Sequence, residues 1–292
     1  MVKYAIIVTY EPDVRNLGRI CNSISNQGFA IVIVDNSEKN HLTQSHFYTP
    51  IEIINNHTNL GIAKAQNLGV KYAESKQAEI LVFFDQDSMV PCDLLLRLES
   101  ALCTLNNSVV CPMSVDEKTN DEYPSHRITK FGYMKDVYAK NSEQLVNVDI
   151  VISSGTMTTM ETFKKIGYFD EDFFIDFVDI EWCLRGKKCN VNFYIVPNTW
   201  MQHIIGDNNI KIGTMTIVRH SPIRTYYKVR NCILLFRKNI HPLFVLRQII
   251  PAIIHNLVLC FSVESKKDYF FYYFIGIIHG ILGKRGKYTK TF

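Results

Sequence analysis

The stretch Ile80–Ser88 constrains this chain more than any other. Ile80, Leu81, Val82, Phe83 and Phe84 are five apolar residues in a row, the pattern of a strand buried on both faces. The run stops at Asp85-Gln86-Asp87. A strand that is apolar to its last residue and then presents Asp-x-Asp delivers two carboxylates to the carboxyl edge of a sheet. In open α/β sheets that edge is where ligands bind. Two hard oxygen donors so close suit Mg2+ or Mn2+, and such a cation suits a diphosphate. The same residues also suit a solvated turn before a helix, with Ser88 and Pro91 as turn material. Asp-x-Asp alone does not choose between these. The rest of the chain has to supply a nucleotide site, a base and a third metal ligand.

At 292 residues there is room for one large α/β domain with an appendage. A composition 47% hydrophobic and 21% charged is that of a folded protein, not a disordered one. The net charge of +4 is too mild to imply a nucleic-acid partner, and only Lys284-Arg285-Gly286-Lys287 clusters positive charge. Eight cysteines occur without any Cys-x-x-Cys spacing, which argues against a zinc or redox site. They read as reduced, buried thiols of a cytosolic protein. The chain enters a strand at once, Tyr4 to Val8, with no secretory signal pattern before it.

The first half alternates strand and helix patterns. Strands are expected at 5–8, 30–34, 51–54 and 80–84. Helices are expected over 13–27, where Leu17, Ile20 and Ile24 share a face, and over 62–75. That order predicts a mostly parallel sheet with right-handed crossovers. Parallel strands would bring Thr9, Glu11 and Asp35 to the same edge as Asp85. Gly61 opens the second helix, so Lys64 and the free N–H groups there could face an anion.

Farther on, 148–152 reads as a strand leading into Ser153-Ser154-Gly155-Thr156. A helix then starts among Asp176, Asp179 and Glu181, interleaved with Phe177, Val178, Ile180 and Trp182. Acids at a helix start are favoured by its dipole. Acids beside a hydrophobic wall can also be tuned toward general-base work. A strand over 191–196 precedes Trp200-Met201-Gln202-His203. A lone His beside apolar residues is more often a core histidine, but Asp85 and Asp87 still need a partner for a metal, and His is an acceptable donor to Mn2+.

Taken together, Asp85-Gln86-Asp87, the Ser154-Gly155 stretch, Asp179 in Phe-Val-Asp-Ile-Glu-Trp-Cys-Leu-Arg, His203 in His-x-x-Gly, and Tyr226-Tyr227-Lys228-Val229-Arg230-Asn231 resemble the family 2 inverting glycosyltransferases, above all the bacterial rhamnosyltransferases that build O-antigen and other surface polysaccharides. The resemblance covers roughly Tyr4 to Lys238. It implies a GT-A fold, a Rossmann-like mixed sheet flanked by helices. It implies a nucleoside-diphosphate sugar donor such as dTDP-L-rhamnose, and a lipid-linked oligosaccharide acceptor. By motif position, Thr9, Glu11 and Asp35 would meet the base and ribose, with Gly61, Lys64, Asp85 and Gln86 completing the donor side. Asp87 and His203 would hold Mg2+ or Mn2+, and Asp179 would be the catalytic base. Gly155, Asp176, Glu181 and Trp182 are the acceptor-side candidates. This chain departs from many relatives in having Val178 where they carry Glu before the catalytic Asp, and Glu11 where they carry Asn. The same fold with UDP-galactose or UDP-glucose is the alternative within enzymes; a nucleotide-sugar-binding or membrane-scaffold protein without turnover is the alternative outside them.

Beyond Asn231 the composition changes. Residues 249–263 and 269–283 are apolar runs, each shorter than the roughly 20 residues of a spanning helix. Their aromatics and flanking Lys266, Lys267, Lys284, Arg285 and Lys287 fit interfacial helices. A helical subdomain or homodimer interface fits them as well. The expected division is a catalytic domain over 1–215 and a helical segment over 216–292, peripheral at the inner face of the cytoplasmic membrane.

Overall fold

A computed structural model of the protein describes all residues except 40, 118, 204–208, 213–214, 219–220, 263–265 and 290–292; for 203, 209–212, 215–218 and 262 it describes the backbone alone. The elements run β1 (Lys3–Thr9), α1 (Val14–Asn26), β2 (Ala30–Asp35), β3 (Glu52–Asn55), α2 (Ile62–Ser75), β4 (Ile80–Asp85), α3 (Leu94–Cys103) and β5 (Ser108–Asp116). Then come β6 (Ser125–Ile128), β7 (Met134–Val137), β8 (Val146–Val148), β9 (Met157–Thr159), α4 (Met160–Ile166), α5 (Val178–Lys188) and β10 (Asn192–His203). The chain closes with β11 (Asn209–Ile212), β12 (Met215–Val218), α6 (Pro222–Arg237), α7 (Pro242–Ser262) and α8 (Lys266–Leu282).

Eight strands form one sheet in the order β3-β2-β1-β4-β9-β5-β10-β8. β1 pairs parallel with β2 and β4, and β10 pairs parallel with β5. β9 and β8 run antiparallel to their neighbours. This is the mostly parallel mixed sheet that the strand–helix alternation predicts. The period of two explains why β4 is apolar throughout. Leu81 and Phe83 enter the core under α2, α4 and α5, while Ile80, Val82 and Phe84 enter the core under α1 and α3. Each such side chain, fully buried, contributes about 1.5–3 kcal/mol. Helix α1 offers Leu17, Ile20, Cys21 and Ile24 as a single buried stripe, and Asp13 caps it by accepting from the N–H groups of Arg15 and Asn16.

Two expectations need correction. Residues 149–152 are not strand: β8 ends at Val148. The backbone N–H of Val151 donates to Cys183 Sγ on α5, and the Asp149 carboxylate accepts from the Ile128 N–H and pairs with Lys187. Apart from a single bridge between Ile150 and His126, this segment runs beneath a helix instead of joining a ladder. The run around 249–263 also belongs to a longer helix. Pro251 lies inside α7 without ending it, and 242–261 is long and apolar enough to cross a membrane by length and composition. Phe244 and Val245 in its first turn are nevertheless buried in the main core, and Leu259 and Cys260 in its last turn pack against α6 and α8. Leu234 and Leu235 of α6 join the main core as well. β10 ends at His203, β11 and β12 pair antiparallel with each other, and position 215 falls at the first residue of β12.

Candidate active site

Strand register brings the expected acids to one edge. Thr9 stands opposite Asp35, and Val8 stands opposite Asp85. Asp35 is buried, and its Oδ1 accepts from Thr9 Oγ1 at 2.9 Å, from Ser37 Oγ at 2.6 Å and from the Ser37 N–H at 3.1 Å. Its Oδ2 is buried without a hydrogen-bond partner among the described residues. Thr9 is buried too, its hydroxyl committed to Asp35. The exposed groups at this end are Tyr10 and Glu11, with Glu11 in a left-handed turn (φ 47°) held by Ser37 Oγ. Gln86 ties the end of β4 to the same turn. Its Oε1 accepts from the Tyr10 N–H at 2.7 Å and its carbonyl accepts from Asn16 Nδ2.

The start of α2 is not the open anion site that Gly61 suggests. The Ile62 N–H donates to the Phe174 carbonyl at 2.8 Å, which occupies a free helix-start donor. Gly61 has φ +85°, and a Cβ there would lie 2.6 Å from both Phe174 Cδ2 and the Phe174 carbonyl oxygen. Its role is to let the loop before α5 dock on α2. Lys64 is exposed one turn further along.

Asp85 and Asp87 differ in surroundings. Asp87 is exposed; Asp85 is partly covered, and burial, then the charge of Asp87, push its carboxyl up to about 6 against the pull of Arg224. Ser154 Oγ accepts from the Asp85 N–H and shares a hydrogen bond with Ser88 Oγ at 2.7 Å. Beside Asp87 opens a cleft of about 480 Å3 between α1 and β10, with Asn16, Arg19, Trp200 and Gln202 on its walls.

Asp179 lies in the first turn of α5. The helix buries Val178, Glu181 and Trp182, spaced i, i+3, i+4, which turns Asp179 and Cys183 toward segment 151–153. There burial, then the charge of Asp85, push the Asp179 carboxyl up to about 7, against the Ser153 backbone N–H, which favours its charged form. Asp85 and Asp179 are therefore electrostatically coupled across the edge.

The acceptor-side candidates divide. Asp176 stays at the site, forked onto the Arg224 guanidinium at 3.1–3.3 Å. Glu181 does not: it is 0% exposed and paired with Arg185 through two bonds of 3.0 and 2.8 Å and with Lys238 at 3.4 Å. Trp182 is a core residue, packed against Phe163, Phe169 and Phe193, its Nε1–H donating to the Gly167 carbonyl. Gly155 is buried on the opposite face; its φ of +81° and the Met201 and Pro112 atoms 2.7–2.8 Å from where a Cβ would stand make it a packing position. Each of the three has the residue type of a site and the surroundings of a core.

Among the described residues no group of three His, Cys, Asp or Glu side chains is arranged to hold a metal. The side chain of His203, expected as a ligand, lies outside the described residues; its backbone ends β10 opposite Asp116. Asp85 and Asp87 still fit a hard divalent cation, because their mutual repulsion is what such an ion relieves and because two carboxylates plus substrate phosphate suffice for Mg2+.

Sequence reasoning gave no role to Arg224 and Asn231. Asn231 Nδ2 donates to the carbonyls of Phe173, Ile175 and Asp176 at 2.7–2.9 Å. It braces a loop in which Phe174, Asp176 and Phe177 all have positive φ. The motif containing Asn231 was visible, but a buried amide's three acceptors are backbone groups, which no side-chain pattern displays.

A mixed sheet with paired strand-end carboxylates and a third, raised carboxylate facing them defines a nucleotide-sugar-dependent transferase of GT-A architecture. Residues 4–167 match the model of Glycosyl transferase family 2, and the chain belongs to that family. It is 36% identical over 97% of its length to the dTDP-rhamnosyl transferase RfbF of Shigella flexneri, covering 96% of that protein. It is 27% identical to the low-salt glycan biosynthesis hexosyltransferase Agl10 of Haloferax volcanii, over 64% of this chain and 62% of that one. Among solved structures, GalNAc-T7 with UDP, GalNAc and Mn2+ superposes with a TM-score of 0.57 at 14% identity, covering 80% of this chain. TarS of S. aureus does so with a TM-score of 0.57 at 15% identity, covering 97%. The chain spans about half the length of those two, which share its fold.

Proposed function

We propose that this glycosyltransferase moves L-rhamnose from dTDP-L-rhamnose, with inversion, to a hydroxyl of a lipid-linked or oligosaccharide acceptor in surface-polysaccharide (O-antigen) synthesis. The donor assignment rests on the near full-length similarity to the Shigella rhamnosyl transferase. The observation that carries the chemistry is Asp179, placed by the first turn of α5 on the same edge as Asp85, with its carboxyl raised to about 7 by burial and by that charge. A carboxylate poised near neutral pH is suited to take the proton of an attacking hydroxyl. One base facing the anomeric carbon and a leaving diphosphate on the other side give an in-line displacement, hence inversion. Asp85 and Asp87 would hold Mg2+ or Mn2+. When bound, the cation stabilises negative charge on the leaving diphosphate. The unpartnered Oδ2 of Asp35 is an acceptor of the kind an N–H of a pyrimidine base takes. The cleft beside Asp87, with half-exposed Trp200 and planar amides of Asn16 and Gln202, supports a saccharide acceptor on that side.

The same reading puts the protein at the cytoplasmic face of the membrane, peripheral rather than spanning. Leu243, Leu246, Ile250 and Ile254 form an exposed stripe on α7, and Phe271, Phe274, Ile278 and Ile281 form one on α8. Both turns of α7 that are buried in protein support a helix lying along a surface.

A donor panel tests the proposal. Calorimetric titration and turnover with dTDP-L-rhamnose, UDP-galactose and UDP-glucose should show preference for the rhamnose donor and loss of turnover in excess chelator. A clear preference for a UDP-sugar would replace the donor; full activity in chelator would remove the metal.

A further inference from the structure

Two cations on α6 face the acidic edge, and the chemistry above uses neither. Arg224 and Lys228 stand one helical turn apart, so both side chains leave the same face of the helix. Arg224 forks onto Asp176 at 3.1–3.3 Å, and its charge reaches Asp85 at the end of β4. Its side chain is 41% exposed, so the ion pair is open to exchange with an incoming anion. Lys228 is the odder group. It is partly buried next to the same Asp176 and Arg224, and among the described residues it has no hydrogen bond or ion pair. Burial and Arg224 both act against its charge, with only Asp176 in its favour. An ammonium held there is costly until an anion arrives.

The anion's class follows from the neighbours. Asp85, Asp87, Asp176 and Asp179 already crowd this edge, so an anion with a single charge gains little from two cations there. A diphosphate carries enough charge to engage both at once. A guanidinium takes phosphate oxygens as a fork and an ammonium takes them as a point charge.

We propose that Arg224 and Lys228 form a diphosphate-binding pair that engages its ligand from the α6 side of the site. This rests on the reading that a nucleoside-diphosphate sugar is the donor. Two sources carry the same chemistry: the nucleoside diphosphate of the donor, and the diphosphate of a lipid carrier. Burial, then the charge of Lys228, hold the His255 imidazole on α7 below its ordinary pKa, so the pair borders the helical layer as well as the strand ends.

Calorimetry on the full chain separates the outcomes, with dTDP, thymidine and a short-chain prenyl diphosphate as probes. Lys228→Met removes an ammonium that has no described partner, so its melting temperature should not fall. Its affinity for the diphosphate that uses the pair should drop about ten-fold, and Lys228→Arg should restore most of it. Arg224→Gln should weaken the same probe. A loss confined to dTDP, with thymidine unchanged, assigns the pair to the donor; a loss confined to the prenyl diphosphate assigns it to the carrier. Undiminished binding of both diphosphates by Lys228→Met overturns the pair while leaving the donor reading intact. Failure of the wild-type protein to bind either diphosphate overturns both.

Discussion

Asp179 and Glu181 lie two residues apart on α5 and end in opposite environments. Among the described residues Asp179 has no charge partner, and its carboxyl is raised from the ordinary 3.8 to about 7. A raised carboxyl holds its proton in the folded state over a window where the unfolded chain has lost it. The stability it contributes is fully present below about pH 4 and is lost as pH rises through about 7. Asp179→Asn should therefore melt a few degrees above wild type at pH 8 and close to it at pH 4, measured by calorimetry across that range. Equal melting temperatures at both pH values would contradict the raised carboxyl. Glu181 is instead buried as an ion pair, its charge matched by Arg185 and Lys238 inside the protein. Glu181→Gln breaks a buried network and should cost about 3–5 kcal/mol in denaturant unfolding. A stable but inactive Glu181→Gln would move the base to that residue. The sequence displayed both acids, and the i, i+4 spacing of Glu181 and Arg185 hinted at a pair. What it did not display is which face of α5 meets the core, since that depends on where Phe163, Phe169 and Phe193 arrive from.

At the scale of elements, the loop 174–177 is the least intrinsically favourable backbone near the site and the most heavily braced. Three residues with positive φ, none of them glycine, cost of order 1–3 kcal/mol each. Asn231 and the fork between Arg224 and Asp176 hold them in place. Asn231→Ala should destabilise by about 2–4 kcal/mol through three lost hydrogen bonds. It should also lower turnover while leaving metal-dependent donor binding unchanged, read by chemical unfolding and by calorimetry. A loss of donor affinity with full turnover would contradict the bracing role. The strands β1 to β4 were legible because period, length and the polar residue ending each run all agree. Residues 149–152 were not, because Val148 to Ile152 has a strand's composition, and only the tertiary fold shows that its Val151 N–H goes to a cysteine side chain. The true length of α7 was not legible either: it runs through Pro251, and buried contacts at both ends of that helix outweigh the local cost of the proline.

For the whole molecule, α6, α7 and α8 are part of the catalytic architecture. Arg230 donates to the carbonyls of Asp172 and Gly286, joining the loop before α5 to the chain's last turn, and Lys238 pairs with Asp170. The apolar stripes on α7 and α8 face outward from this layer, with Lys266, Lys267 and Lys284 at its ends, while Arg285 and Lys287 pair with Asp172 and Glu38. Each basic residue near an anionic surface adds about 1 kcal/mol, and the apolar stripes add a salt-insensitive part. Wild type should sediment with anionic vesicles and be only partly released by high salt. Ile250→Glu with Phe274→Glu should lose most of that binding while keeping its melting temperature. Unchanged sedimentation in the double variant would leave the stripes to another partner.

The central claim is that Asp179 removes the acceptor proton at a donor site that does not depend on it. The direct measurement is turnover of dTDP-L-rhamnose by wild type and Asp179→Asn, alongside calorimetric donor affinity for both. Turnover should fall on the order of 10²-fold or more, with donor affinity little changed. An Asp179→Asn protein that transfers sugar at the wild-type rate, or that loses donor binding in proportion to turnover, would contradict the account.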